Sequence, residues 1–268
     1  MSRRIAIANQ KGGVGKTTTA INLGASLAAA GRRVLIVDVD PQGNAASGLG
    51  VFERDSKPTV LDALLHRAEL EETIRPTDSD CLFISPSVPE MIGLERDLLH
   101  SKDAPYRLSK AVNRLADFDF VLFDCPPSLG ILTLNALLAA QSILIPVQAE
   151  YYALEGLTQL LRAVEYVQKR LGHPLEIEGF LLTMSDPRTR LAADVEAEVR
   201  KHFKEKVYRT VIPRNVRLSE APSRGMPAIE YALGSRGAQS YIALARELML
   251  QPTRLAERPA ERPAEGAR

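Results

Sequence analysis

The stretch Asn9–Thr18, reading NQKGGVGKTT, constrains this chain more than any other. It follows a short apolar run, Ile5–Ala8, and leads into Thr19–Leu27, whose composition suits a helix. Strand, glycine-rich turn, helix is the arrangement a phosphate-binding loop needs. Gly12, Gly13 and Gly15 let backbone N–H groups crowd around an anion with no Cβ in the way. The N-terminus of the helix adds unpaired donors and a partial positive charge. In such a loop Lys16 reaches the β- and γ-phosphates of a nucleotide and the Thr17 hydroxyl ligates Mg2+. Lys11, Gly12, Gly13, Val14, Gly15, Lys16, Thr17 and Thr18 are therefore the candidate ATP-binding set.

The loop departs from the ordinary pattern in an informative way. G-x-x-x-x-G-K-[ST] wants glycine at position 10, where this chain has Gln10, and a second lysine, Lys11, stands at the front. A dinucleotide fingerprint fits worse, because Thr18 occupies the place of its third glycine and a lysine there has no role. K-G-G-V-G-K-T resembles the deviant Walker A box of the ParA/MinD group of P-loop ATPases.

Short apolar runs alternate with helix-length segments, which predicts βα units and a mainly parallel sheet. The runs are Ile5–Ala8, Val34–Val39, Phe118–Phe123, Ile143–Val147 and Ile177–Leu182. Their near-continuous apolar character suits strands covered by helices on both faces. Thr17–Ala30, Leu154–Leu171, Leu191–Phe203 and Ser235–Leu250 read as the helices. No linker interrupts residues 1–250, so one domain is expected there. Residues 251–268 repeat Ala-Glu-Arg-Pro and hold almost no apolar side chains, which predicts a disordered polar tail. Cys81 and Cys125 lack metal-type spacing and read as reduced thiols. With no apolar signal segment and no run of 18 apolar residues, the expectation is a cytoplasmic protein without a membrane span.

Two further motifs place carboxylates beside the loop. Val34–Asn44 is a strand running into Asp38-Val-Asp40-Pro-Gln-Gly. Ligands of open α/β sheets gather at the carboxyl ends of strands, so Asp38 and Asp40 should face the phosphates. Asp40 is the candidate to orient or activate an attacking water, and Asp38 supports Mg2+ or the loop. Phe118–Pro127 is a second apolar strand, ending in Asp124-Cys-Pro-Pro. Asp124 is the type of carboxylate that holds Mg2+ through water, and the paired prolines stiffen a segment able to sense the γ-phosphate.

With these motifs the chain resembles ParA/Soj-type chromosome- or plasmid-partitioning ATPases. The matching stretches are Asn9–Thr18, Asp38–Asn44, Asp124–Ser128, Pro146–Gly156 and Val211–Pro222, spread over residues 1 to about 250. The resemblance implies an α/β, three-layer P-loop NTPase fold whose mainly parallel twisted sheet has helices on both faces. It implies an ATPase with slow basal turnover that forms an ATP-dependent sandwich homodimer, in which Lys11 crosses to the partner's phosphates. Met184, Pro213 and Asn215 then flank the adenine. The dimer binds double-stranded DNA without sequence preference through Arg188 and Arg217, on the nucleoid, and a ParB-type centromere-binding protein stimulates hydrolysis.

The charge distribution agrees with a cationic face. Net charge is only +1, yet Asp186–Arg217 carries nine basic and five acidic residues, and Glu53–Asp97 carries five basic and eleven acidic ones. Clusters of this kind are otherwise solvated helix faces. A MinD-like division-site regulator would need a C-terminal amphipathic helix, and this tail is polar and proline-interrupted. A relative of the nitrogenase iron protein would need a cysteine set that is missing, and a tyrosine kinase a tyrosine-rich tail. A non-enzymatic DNA-binding module is the remaining alternative, which measurable ATP turnover would exclude.

Overall fold

The computed structural model describes residues 2–52, 58–98, 101–150, 155–186 and 188–251. Seven strands form one sheet: β1 (Arg3–Ile7), β2 (Val34–Asp38), β3 (Arg75–Pro76), β4 (Leu82–Ser85), β5 (Phe120–Asp124), β6 (Ser142–Gln148) and β7 (Glu176–Thr183). Their order across the sheet is β3-β4-β2-β5-β1-β6-β7. Every pairing is parallel except β3 with β4. The sheet is the mainly parallel one expected of a P-loop NTPase.

Both faces are covered, and the alternation of the strands shows how. Ile5 and Ile7 of β1, with Val34 and Ile36 of β2, belong to one apolar cluster. Ala6 and Ala8, with Leu35 and Val37, belong to the other. Successive side chains of a strand point to opposite faces, so an unbroken apolar run is what two helical layers require. The helices Lys16–Ala29 and Arg236–Leu250 cover the first face, joined by Thr19 Oγ1 and Tyr241 Oη at 3.1 Å. Ile131–Ala139 and Glu155–Lys169 cover the second. Helix Arg190–Phe203 follows β7, its N-cap Thr189 accepting from Ala192 N.

The register brings the chemistry together. Ile7 and Asp38 both stand opposite Asp124 across β5, so the ends of β1, β2 and β5 lie side by side. Sequence order reverses about β1, the topological switch point at which open α/β sheets bind ligands. Strands β3 and β4 and the helix Ile131–Ala139 are additional to the elements read from the sequence. The expected start of the helix at Leu154, Tyr151–Leu154 of the fourth matching stretch, Pro187 of Asp-Pro-Arg, and tail residues 252–268 lie outside the described residues. Among the described residues no helix is long and apolar enough to cross a membrane.

Candidate nucleotide site

The loop after β1 turns on two left-handed glycines, Gly13 at φ 74° and Gly15 at φ 87°. A side chain is strained in that region, so the path of the loop depends on glycine there. Gly15 is also the N-cap of the helix Lys16–Ala29, and no side chain among the described residues caps it. That leaves the first-turn donors for a ligand. Two residues brace the loop from outside: Asn9 donates from Nδ2 to Pro146 O (2.6 Å) while Oδ1 accepts from Lys11 N (3.0 Å). Thr183, at the end of β7, donates from Oγ1 to Val14 O at 2.9 Å.

Lys16 is buried and its Nζ donates to Lys11 O at 3.3 Å. Burial lowers its pKa, and the charges of Asp124 and Asp40 work against that drop. The ammonium thus faces a buried acidic group. Lys11 lies at the rim, its Nζ 3.1 Å from Glu150 Oε2. Glu150 also accepts from Gln148 Nε2 (2.6 Å) and lies 3.8 Å from Arg214 Nη2.

The three aspartates are used differently. Asp38 is wholly buried, and both its oxygens accept backbone N–H groups, Oδ1 from Asp40 and Oδ2 from Ala45, each at 3.1 Å. Asp40 accepts from Gln42 N at Oδ1 (3.1 Å), and Ser87 Oγ donates to its carbonyl (2.5 Å). Asp124 is wholly buried, and neither carboxylate oxygen has a hydrogen-bond partner among the described residues. Burial pushes the Asp124 pKa up to about 7 and Asp40 adds to the rise. The Thr17 hydroxyl, close by though not in hydrogen-bond geometry, and the Lys16 charge pull it down. Burial and then the Asp124 charge raise Asp38 as well. The Cys125 thiol is driven far up by burial and is inert.

A buried carboxylate with both oxygens orphaned, beside a threonine hydroxyl and a lysine, is a hard-oxygen donor set that fits a divalent cation. Among the described residues no group of three or more His, Cys, Asp or Glu forms a metal cluster. Thr17 and Asp124 are the residues that would hold such a cation, which would supply positive charge beside a bound phosphate.

The residues expected beside a nucleotide base lie close to one another along the chain's fold. Met184 follows β7 at φ 52°, and a Cβ on Gly15 would lie 3.9 Å from Met184 Cε. Ser185 bridges Pro213 in parallel, with Ser185 N donating to Ile212 O (3.1 Å) and Arg214 N to Ser185 O (3.0 Å). Asn215 is the N-cap of the short helix Val216–Glu220. Both candidate DNA arginines are exposed and held by carboxylates of their own turns: Arg188 Nη2 to Asp186 (2.7 Å) and Arg217 Nη1 to Glu220 (2.7 Å). Arg217 also stands 6.0 Å above the Tyr231 ring. Thr183, Glu150 and the bracing role of Asn9 were not singled out from the sequence. Asn9 and Glu150 do sit inside the recognised stretches.

Comparison with known proteins identifies relatives of the chain. The family model described as AAA domain matches residues 2–177. The chromosome partitioning protein ParA of Myxococcus xanthus is 52% identical over 254 residues, 94% of this chain and 90% of that protein. The sporulation initiation inhibitor protein Soj of Bacillus subtilis is 53% identical over 249 residues, 92% of this chain and 98% of that one. Among solved structures, cobyrinic acid a,c-diamide synthase of Mycobacterium smegmatis with ADP and magnesium has a TM-score of 0.81 at 37% identity, covering 93% of this chain and 94% of that one. The septum site-determining protein MinD of Pyrococcus horikoshii with Mg-ADP has a TM-score of 0.74 at 31% identity, covering 92% and 96%.

Proposed function

The chain belongs to the ParA/Soj family of chromosome-partitioning ATPases, and from that premise we propose how its residues divide the work. ATP and Mg2+ bind at the loop and join two copies face to face. Only the pair grips DNA, without sequence preference. Slow hydrolysis, stimulated by a ParB-type partner, releases the pair from the nucleoid.

One observation carries this reading: the Asp124 carboxylate, buried and unpartnered, beside Lys16 and Thr17. Thr17 and Asp124 are the residues that would hold Mg2+, which when bound neutralises charge developing on the phosphates. Asp38 has both oxygens engaged by backbone, so its part is to hold the loop of Asp40 and Ala45. Asp40 has Oδ2 without a partner among the described residues, and that oxygen orients the attacking water. Lys16 offsets phosphate charge within its own subunit. Lys11 leaves Glu150 and reaches the partner's nucleotide, supplying a cation from a second chain as an arginine finger does. Met184, Pro213 and Asn215 form the base side, and the nearness of Met184 to Gly15 supports that placement.

Arg188 and Arg217 contact DNA phosphates. Their present partnerships are exposed ion pairs, worth little, so exchanging a carboxylate for a phosphate costs little. With two phosphates neutralised per subunit, a dimer contacts about four, and log K falls with log salt at a slope of roughly −3.6. The test is DNA co-sedimentation with ATP, with ADP and without nucleotide at two salt concentrations. Retention only with ATP, lost steeply with salt, is expected; equal retention in all three states overturns the reading.

A further inference from the structure

The helix Val216–Glu220, which carries Arg217, is a single turn of five residues. A helix so short cannot hold itself together, because nucleation is unfavourable and few internal bonds follow. It runs directly into the 3-10 turn Ala221–Arg224, and Tyr231 Oη donates to its Glu220 Oε2 at 3.2 Å. Its start, where Arg217 stands, is fixed at two further points. Leu218, on its inner face, packs against Gly237 so closely that a Cβ there would come within 2.6 Å of Leu218 Cγ. The other point is Asn215, whose Oδ1 accepts from Arg217 N at 2.9 Å. The bonded N–H is that of the arginine itself.

The NH2 group of Asn215 has no hydrogen-bond partner among the described residues. Upstream, Pro213 and Arg214 are tied by backbone to Ser185, which follows Met184, and Met184 Cε lies 3.9 Å from where a Cβ on Gly15 would stand. A planar amide with one end committed to a helix cap and the other end open connects whatever the open end meets to the capped turn.

We propose that Asn215 is a positioning residue for Arg217: its side-chain carbonyl holds the one-turn helix that presents the arginine, while its NH2 is offered to the nucleotide base. This rests on the assignments of Asn215 and Arg217 given under Proposed function and adds a direct link between them. Base and DNA are then sensed through opposite ends of one side chain.

Two substitutions separate the ends. Ser caps a helix about as well as Asn, whereas Ala does not, and a lost cap weakens a turn by roughly fivefold in its folding equilibrium. Asn215→Ser therefore keeps the cap and withdraws the amide; Asn215→Ala removes both. Each variant is saturated with its own required ATP concentration, and DNA affinity is then measured. Both variants need more ATP than the wild type. At saturation the Ser variant matches the wild type in DNA affinity, and the Ala variant is weaker by roughly fivefold per subunit. Amide exchange at Arg217, read by mass spectrometry or NMR without DNA, stays protected in the Ser variant and is lost in the Ala variant.

Equal DNA affinity for the Ser and Ala variants, or equal protection at the Arg217 amide, overturns the proposal. Arg217→Ala is the control for the underlying assignment. If it leaves DNA affinity unchanged, the DNA role of Arg217 falls and the proposal with it. If it weakens binding while Ser and Ala agree, the proposal alone is refuted.

Discussion

Replacing Asp124 by Asn should stabilise the nucleotide-free protein, although Asp124 belongs to the site. The carboxylate is wholly buried with neither oxygen bonded among the described residues, and burial pushes its pKa up to about 7 from 3.8. A carboxyl whose folded pKa is raised holds its proton more tightly when folded than when unfolded. The protein therefore loses stability as pH rises from the unfolded pKa toward the folded one, and the loss is complete above about pH 7. At about 1.4 kcal/mol per pH unit, the charged carboxylate costs about 4 kcal/mol at pH 8 and about 2 kcal/mol at pH 5. Asn carries no such charge at either pH. Asp38, whose pKa the Asp124 charge also raises, gains in the same direction when that charge goes. For a chain of this size 1 kcal/mol moves Tm by roughly 2–4 °C. The variant should then melt roughly 8–16 °C higher than the parent at pH 8, and about half as much higher at pH 5. The assay is circular dichroism or scanning fluorimetry in EDTA without nucleotide, repeated with ATP and Mg2+. The added ligands should raise the parent's Tm and leave the variant's unchanged. A variant less stable than the parent at pH 8, or an advantage that ignores pH, would refute the reasoning.

Three further perturbations follow from the same site. Lys16→Ala should abolish ATP binding, and DNA binding with it, since Lys16 is the buried cation facing Asp124 and Asp40; retained nucleotide affinity in calorimetry contradicts this. Asp40→Ala should keep ATP-dependent dimers and lose turnover by at least 100-fold, the usual contribution of a positioned base; normal phosphate release would remove Asp40 from the mechanism. Arg188→Ala or Arg217→Ala should flatten the salt slope of DNA binding by about 1.8, one fewer phosphate on each subunit of a dimer; an unchanged slope moves the DNA surface elsewhere.

The central strands and the loop were legible in the sequence because they obey strong local rules. Val34–Asp38 and Phe120–Asp124 are unbroken apolar runs ending in a carboxylate, and Gly13 and Gly15 stand where the chain needs positive φ. The edge of the sheet was not legible. Leu82–Ser85 is four residues long, and its antiparallel neighbour β3 is the pair Arg75–Pro76, too short and too polar to signal a strand. Ile131–Ala139 is so thoroughly buried that its sequence lacks the polar face by which a helix is recognised. Within the site, Asp38 could be read as a metal ligand or as a loop support, because strand-end carboxylates look alike in sequence. The backbone N–H groups of Asp40 and Ala45 bond its oxygens because the turn after β2 folds back on it, whereas those of Asp124 have no partner among the described residues, and residue type alone shows neither. The ion pair of Lys11 with Glu150 joins residues 139 apart, beyond the reach of any local pattern. The cap at Asn215 was within reach, since Asn ahead of Val-Arg-Leu is a helix-start signal.

The claim on which the account depends is that the terminal phosphate of ATP joins two copies and that only the joined form holds DNA. Light scattering on the Asp40→Ala variant measures this directly, with Mg-ATP, with Mg-ADP and without nucleotide, each in the presence and absence of a short duplex. The account predicts a protein mass that doubles from 29.4 kDa with Mg-ATP alone, and duplex carried only by that doubled species. A single-chain mass at saturating Mg-ATP, or duplex carried equally well without nucleotide, would contradict it.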